Sequence, residues 1–175
     1  GKGFADATGS TRVGNLQKGH GISFGDINND GNLDIHIDMG GAYPGDAYQN
    51  SLFINPGQQQ NKSIALTLEG RNANRAAIGA KIKATFRDNG QERSVYREVN
   101  SGSSFGANTL TQHIGIGAAN EIDLLEITWP GSNVIEEFRN IAANQRIKIV
   151  EGDGGFSTMK IKSFDFPQAQ MQHHH

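Results

Sequence analysis

An all-β protein is what this sequence predicts, and three observations carry the expectation. Helical periodicity is scarce, short runs of alternating or β-branched residues recur along the chain, and turn-forming residues separate them. Of the 175 residues 23 are Gly, well above average usage and without a collagen-like period of three.

The runs can be justified in order. At 22–24 and 33–39 two strand-like segments flank an Asp-rich loop, and in the second Leu33, Ile35 and Ile37 alternate with Asp34, His36 and Asp38. A period of two marks a strand with one buried face, so the loop is expected inside a β-hairpin with Asp34 on the solvent face. A short run at 51–54 follows, then denser ones at 64–68, 80–87 and 93–99. Asp88-Asn89-Gly90 between the last two suits a tight hairpin, because Asn and Gly tolerate positive φ. Runs at 113–116, 122–129, 134–138, 146–150 and 158–166 complete the series, with Trp129-Pro130-Gly131-Ser132 turning one strand into the next. The best helical candidate, 73–77, is short and closed by Gly79. About ten short strands at this spacing describe a sandwich or barrel.

Composition narrows the classes of function. Zero Cys removes disulfides, cysteine nucleophiles and thiolate metal sites. A net charge of −2 lacks the basic excess of a general nucleic-acid or anionic-membrane binder. No apolar run approaches the roughly 20 residues that span a bilayer. The small net charge hides an asymmetry: residues 19–61 hold Asp26, Asp30, Asp34, Asp38 and Asp46 and no Lys, Arg or Glu, a local charge of −5 against +3 elsewhere. Such a cluster repels itself unless water or a cation compensates, which points to a metal.

The polar stretch Asn55-Pro56-Gly57-Gln58-Gln59-Gln60-Asn61-Lys62 divides the chain into an acidic unit, 1–57, and a strand-rich unit, 58–152, followed by a strand and tail, 153–172. The first unit holds few apolar residues and is expected to lean on the second or on a larger assembly. His173-His174-His175 reads as a purification tag rather than a His-rich metal-binding tail. The chain opens on Gly1 without a signal peptide, so residue 1 is expected to be an expression or cleavage boundary.

The chemistry sits in Asp26-Ile27-Asn28-Asn29-Asp30-Gly31-Asn32-Leu33-Asp34, a D-x-N-x-D-G-x-x-D pattern. Calcium takes six to eight hard oxygen ligands in a flexible cage. Asp26, Asn28 and Asp30 at alternate positions can offer side-chain oxygens, Gly31 permits the sharp turn, Asn32 can offer its carbonyl, and Asp34 can close the site directly or through water. The twelfth position is Ile37 rather than the bidentate Glu of an EF-hand, and the flanks read as strands rather than helices. Such an ion is expected to be structural, holding a hairpin whose apolar contacts are few. The plain alternative is an ordinary turn in which Asx side chains bond their own backbone.

Residues 4–8 (Phe4-Ala5-Asp6-Ala7-Thr8), Gly19-His20-Gly21-Ile22-Ser23-Phe24-Gly25-Asp26 and the Asp-rich loop resemble an FG-GAP or VCBS repeat, the calcium-bearing hairpin of integrin-type propellers. The second unit resembles the ASPIC/UnbV domain that follows such repeats in cartilage acidic protein and its bacterial relatives. Asn74-Arg75-Ala76-Ala77-Ile78-Gly79-Ala80, Arg97-Glu98-Val99 with Gly102, Gln112-His113-Ile114-Gly115-Ile116-Gly117, Ile122-Asp123 running to Trp129-Pro130, and Asn144-Gln145 carry that likeness over about 63–151. One departure is Trp129-Pro130-Gly131-Ser132, where the usual order puts Ser before Gly. The resemblance implies a β-sandwich with an N-terminal calcium hairpin, an extracellular, cell-surface or periplasmic location, further repeats upstream, and no enzymatic activity.

Other residues fit blander roles. His36 shares a strand face with Asp34 and Asp38 and is a candidate to support the ion; His113 reads as a structural, hydrogen-bonding histidine; His20 allows no choice. No nucleophile elbow or phosphate loop occurs, and Ser101-Gly102-Ser103-Ser104 offers hydroxyls without a base. Pairs such as Asp123/Glu126 and Glu136/Glu137 read as solvent-facing strand residues. Trp129 reads as a core anchor, while Tyr43 and Tyr48 flank an exposed Pro-Gly-Asp loop that could meet a partner. Asn61-Lys62-Ser63 matches a glycosylation acceptor. The expected function is a calcium-binding interaction or adhesion module with a protein or glycan partner, or self-assembly; the alternatives are a carbohydrate-binding module and an accessory domain of a secreted enzyme.

Overall fold

A computed structural model describes residues 3–15, 18–41, 43–57, 60–102, 104–105 and 107–166. The terminal His run, Gln58 and Gln59 of the dividing stretch, and Ser103 lie outside them. The described residues are nearly all β, with a single helical turn, α1 (Thr8–Thr11). Among them no helix is long and apolar enough to cross a membrane.

Three sheets form. The first is an antiparallel ribbon of β1 (Gly19–Gly25), β2 (Asp34–Met39) and β3 (Ser51–Phe53), in that order. The other two build the sandwich from β4 (Lys62–Glu69), β5 (Lys81–Asp88), β6 (Gln91–Glu98), β7 (Gln112–Gly117), β8 (Glu121–Thr128), β9 (Ile135–Ala142), β10 (Gln145–Val150) and β11 (Phe156–Thr158). One layer runs β11-β10-β4-β7 and the other β6-β5-β8-β9; β10 and β4 are parallel, and every other pair is antiparallel.

Alternation in the sequence becomes the core. Ile64, Leu66 and Leu68 of β4, Ile82, Ala84 and Phe86 of β5, Ile114 and Ile116 of β7, and Ile147 and Ile149 of β10 all point inward and are buried. Trp129 at the end of β8 is fully buried in the same cluster, as its anchor role requires, and its indole Nε1 donates to Glu136 Oε2 at 2.6 Å. The β5–β6 hairpin closes on two residues, Asn89 and Gly90, with φ of 51° and 79°. Both are left-handed, the geometry that matches strand twist in a two-residue turn.

The first sheet leans on the sandwich, and its apolar content explains why: Met39 is its single buried hydrophobic residue among those described. Phe24 N donates to Asn108 Oδ1 at 2.9 Å, Ile22 bridges to Ser104, and Ser63 Oγ donates to the Gly31 carbonyl at 3.2 Å. Two expectations change. Asp34 is wholly buried rather than on the solvent face, because the chain leaving β3 folds over it. The strand expected over 158–166 is found instead at Phe156–Thr158; the register Ile147↔Thr158 runs out of β10, which begins at Gln145, opposite Lys160, so residues 161–166 have no partner in that layer. Met159 N makes the last bond, to the Arg146 carbonyl, and the chain then crosses to the Asp-rich loop, where Phe164 N donates to the Asn28 carbonyl at 3.0 Å.

Candidate metal centre

The loop between β1 and β2 is a network of Asx turns. Asp30 N donates to Asn28 Oδ1 at 3.3 Å, Asn32 N to Asp30 Oδ1 at 2.8 Å, and Asn28 Nδ2 to Asp30 Oδ2 at 2.9 Å. Gly31 lies at φ 92°, a conformation that explains the residue type. Asp34 staples the loop: Oδ2 accepts from Ile27 N at 3.0 Å and Oδ1 from Asn55 N at 2.9 Å. Among the described residues, no group of three or more His, Asp or Glu converges as a ready-made ligand set.

Asp26 differs from its neighbours. Its side chain is 8% exposed, Oδ2 accepts from Gly31 N at 3.1 Å and from Arg146 Nη2 at 3.0 Å, and Oδ1 is buried with no hydrogen-bond partner among the described residues. A buried carboxylate oxygen left unpaired is costly, and a small cation is the chemical species that would relieve it. The remaining loop donors, Asn28 Oδ1, the Asp30 carboxylate and the Asn32 carbonyl, are hard oxygens of the kind calcium takes. The residue set therefore fits a hard cation in chemistry, with the internal Asx bonds as the contacts such an ion would replace.

The charge argument needs amending. Residues 19–61 lack a basic residue in sequence, yet Asp26 gains one from 120 positions away in β10. Register explains how. Arg146 of β10, Ala65 of β4 and His113 of β7 are cross-strand partners in one row on the outer face of the layer. The small Ala65 between two long side chains leaves a floor on which the loop sits. Above that floor is a cleft of about 570 Å³, lined by Asp26 and residues 29–32 of the loop, by His113, Asn144, Gln145 and Arg146, and by residues 158–161. The His113 side chain is half-buried and makes no hydrogen bond among the described residues, where one was expected. Burial holds its imidazole below the usual range, opposed by the Asp26 carboxylate and reinforced by Arg146 and Arg97. Neither His36 nor Asp38 is hydrogen-bonded to the loop among the described residues. The cleft was invisible in the sequence because no local pattern shows which strands pair.

A further buried carboxylate ties the sandwich. Glu151, just after β10, accepts on Oε2 from Arg71 N, Asn72 N and Ala73 N, each at 2.8 Å. This clamp joins the turn after β4 to the end of β10, while Glu136 reaches from Trp129 to Gly152 N. Residues 70–155 match the ASPIC and UnbV family. The match begins at the clamped turn and ends just past Glu151, so it takes in the Glu151 clamp and the Trp129 anchor. It starts after β4, although β4 is an inner strand of the sandwich. The domain points to a non-catalytic accessory module. No curated protein matches the chain. The likeness of the first 34 residues to an FG-GAP or VCBS repeat gains nothing from the ASPIC/UnbV match and rests on those residues alone.

Proposed function

We propose that this chain is a calcium-stabilised interaction module: an ASPIC/UnbV sandwich carrying a hairpin whose loop, Asp26, Asn28, Asp30, Asn32 and Asp34, takes one calcium ion. The buried, unpartnered Oδ1 of Asp26 carries the reading. On this reading Asp26, Asn28 and Asp30 supply side-chain oxygens and Asn32 its carbonyl, while Asp34 holds the backbone on which they are displayed. Calcium supplies charge compensation and cross-linking to a sheet that hydrophobic burial alone holds weakly. A protein or glycan partner outside the cell or in the periplasm is the setting that suits such a module, with the exposed Tyr43 and Tyr48 loop as a contact surface.

Thermal melts test this directly. At a calcium concentration tenfold above the dissociation constant the native state gains about 1.4 kcal/mol, enough to raise Tm by a few degrees. Chelator reverses the gain, and the double change Asp26→Ala with Asp30→Ala abolishes it. A wild-type Tm indifferent to calcium overturns the proposal.

A further inference from the structure

We infer that Arg146 is the resident counter-cation of the 26–34 loop and sets how weakly that loop holds calcium. The inference rests on the calcium reading above and concerns a residue of the sandwich rather than of the loop.

Arg146 Nη2 lies 3.0 Å from Asp26 Oδ2, and both side chains are well removed from water, 22% and 8% exposed. The guanidinium is permanently charged and screened little at such a site. It already neutralises the carboxylate that an ion needs most, through the oxygen adjacent to the unpartnered Oδ1. Two cations on one carboxylate oppose each other, so each lowers the affinity of the other. Linkage makes the effect reciprocal: calcium on the loop weakens the Arg146 to Asp26 tie between hairpin and sandwich. A loop of this donor chemistry is thereby tuned toward the weak affinities, on the order of 10⁻⁴–10⁻³ M, of extracellular calcium modules. The opposite role is physically possible for such a contact, because a hydrogen bond to a ligating carboxylate can orient it and strengthen binding. The two roles differ in sign.

Calorimetric titration with calcium chloride of the full chain and of R146M and R146K separates them. Counter-cation behaviour gives R146M a dissociation constant at least threefold smaller, on the order of tenfold, with R146K, which keeps the charge, within threefold of wild type. An R146M affinity equal to or weaker than wild type overturns the inference, and a weaker one assigns Arg146 an orienting role. If wild type and both variants all fail to bind, the calcium reading itself is what falls. Wild type alone supplies a second measurement should R146M not fold: the Arg146 guanidinium resonances should move in step with calcium saturation, and resonances that stay fixed while calcium binds overturn the inference.

Discussion

Glu151 gathers three backbone N–H groups on one carboxylate oxygen, with a consequence for the acid stability of the sandwich. The Ala73 N–H, partly opposed by burial and joined by those of Arg71 and Asn72, holds its carboxyl below the ordinary value of 4.5. A carboxyl depressed in the folded state gives stability that is complete above the ordinary value and is lost as pH falls through the folded one. Glu151→Gln should therefore lower Tm near neutrality, with the gap to wild type closing as pH drops below the ordinary value; a gap independent of pH between about 6 and 3 would show that the charge is irrelevant. Trp129 permits a sharper measurement, because it is the chain's single Trp and wholly buried. Its emission should be blue-shifted and follow global unfolding, and Trp129→Ala should cost about 3–5 kcal/mol by urea denaturation. A loss below about 1 kcal/mol would mean the pocket around it is not closely packed.

At the scale of elements, the row Arg146, Ala65, His113 shows how strand pairing assembles a site. Ala65→Leu should overfill the floor beneath the loop, at a cost of about 1–3 kcal/mol, and loosen the hairpin. Faster hydrogen exchange at 26–34 in that variant, with the sandwich interior unchanged, is the expected pattern. Much of the fold was legible beforehand, because β4, β5, β7 and β10 share the alternation that buries Ile64, Leu66 and Leu68 or Ile82, Ala84 and Phe86, and because Asn89-Gly90 specifies its own turn. The Asp-rich loop was legible too, as spacing. What escaped was everything contributed by non-local pairing: the arrival of Arg146 at Asp26, the burial of Asp34 under the chain after β3, and the crossing of 159–166 onto Asn28. Periodicity reports which face of a strand is apolar and is silent about which neighbour covers the other face.

Across the whole molecule, stability should be uneven. Among the described residues the sandwich holds almost all of the buried apolar ones, while the ribbon of β1, β2 and β3 relies on scattered hydrogen bonds and the Arg146–Asp26 ion pair to stay docked. Hydrogen exchange should accordingly be slow at 64–68, 82–86 and 147–149 and much faster at 19–53, with calcium narrowing the difference. Uniform protection across both would show that the ribbon is part of one cooperative unit. The parallel pairing of β4 with β10 bears on how the chain reaches this state. Their register places Ile64 beside Gln145, so during synthesis an inner strand waits for a partner about eighty residues behind it. Until then the apolar face of β4 has no finished layer to enter, and folding of this kind is slow because distant segments must meet first. The segment that leaves the ribosome just ahead of it carries five Asp and no Lys or Arg. That charge keeps the waiting nascent chain hydrated and repels its copies, so the acidic ribbon acts as a built-in solubiliser before it has any structure to hold.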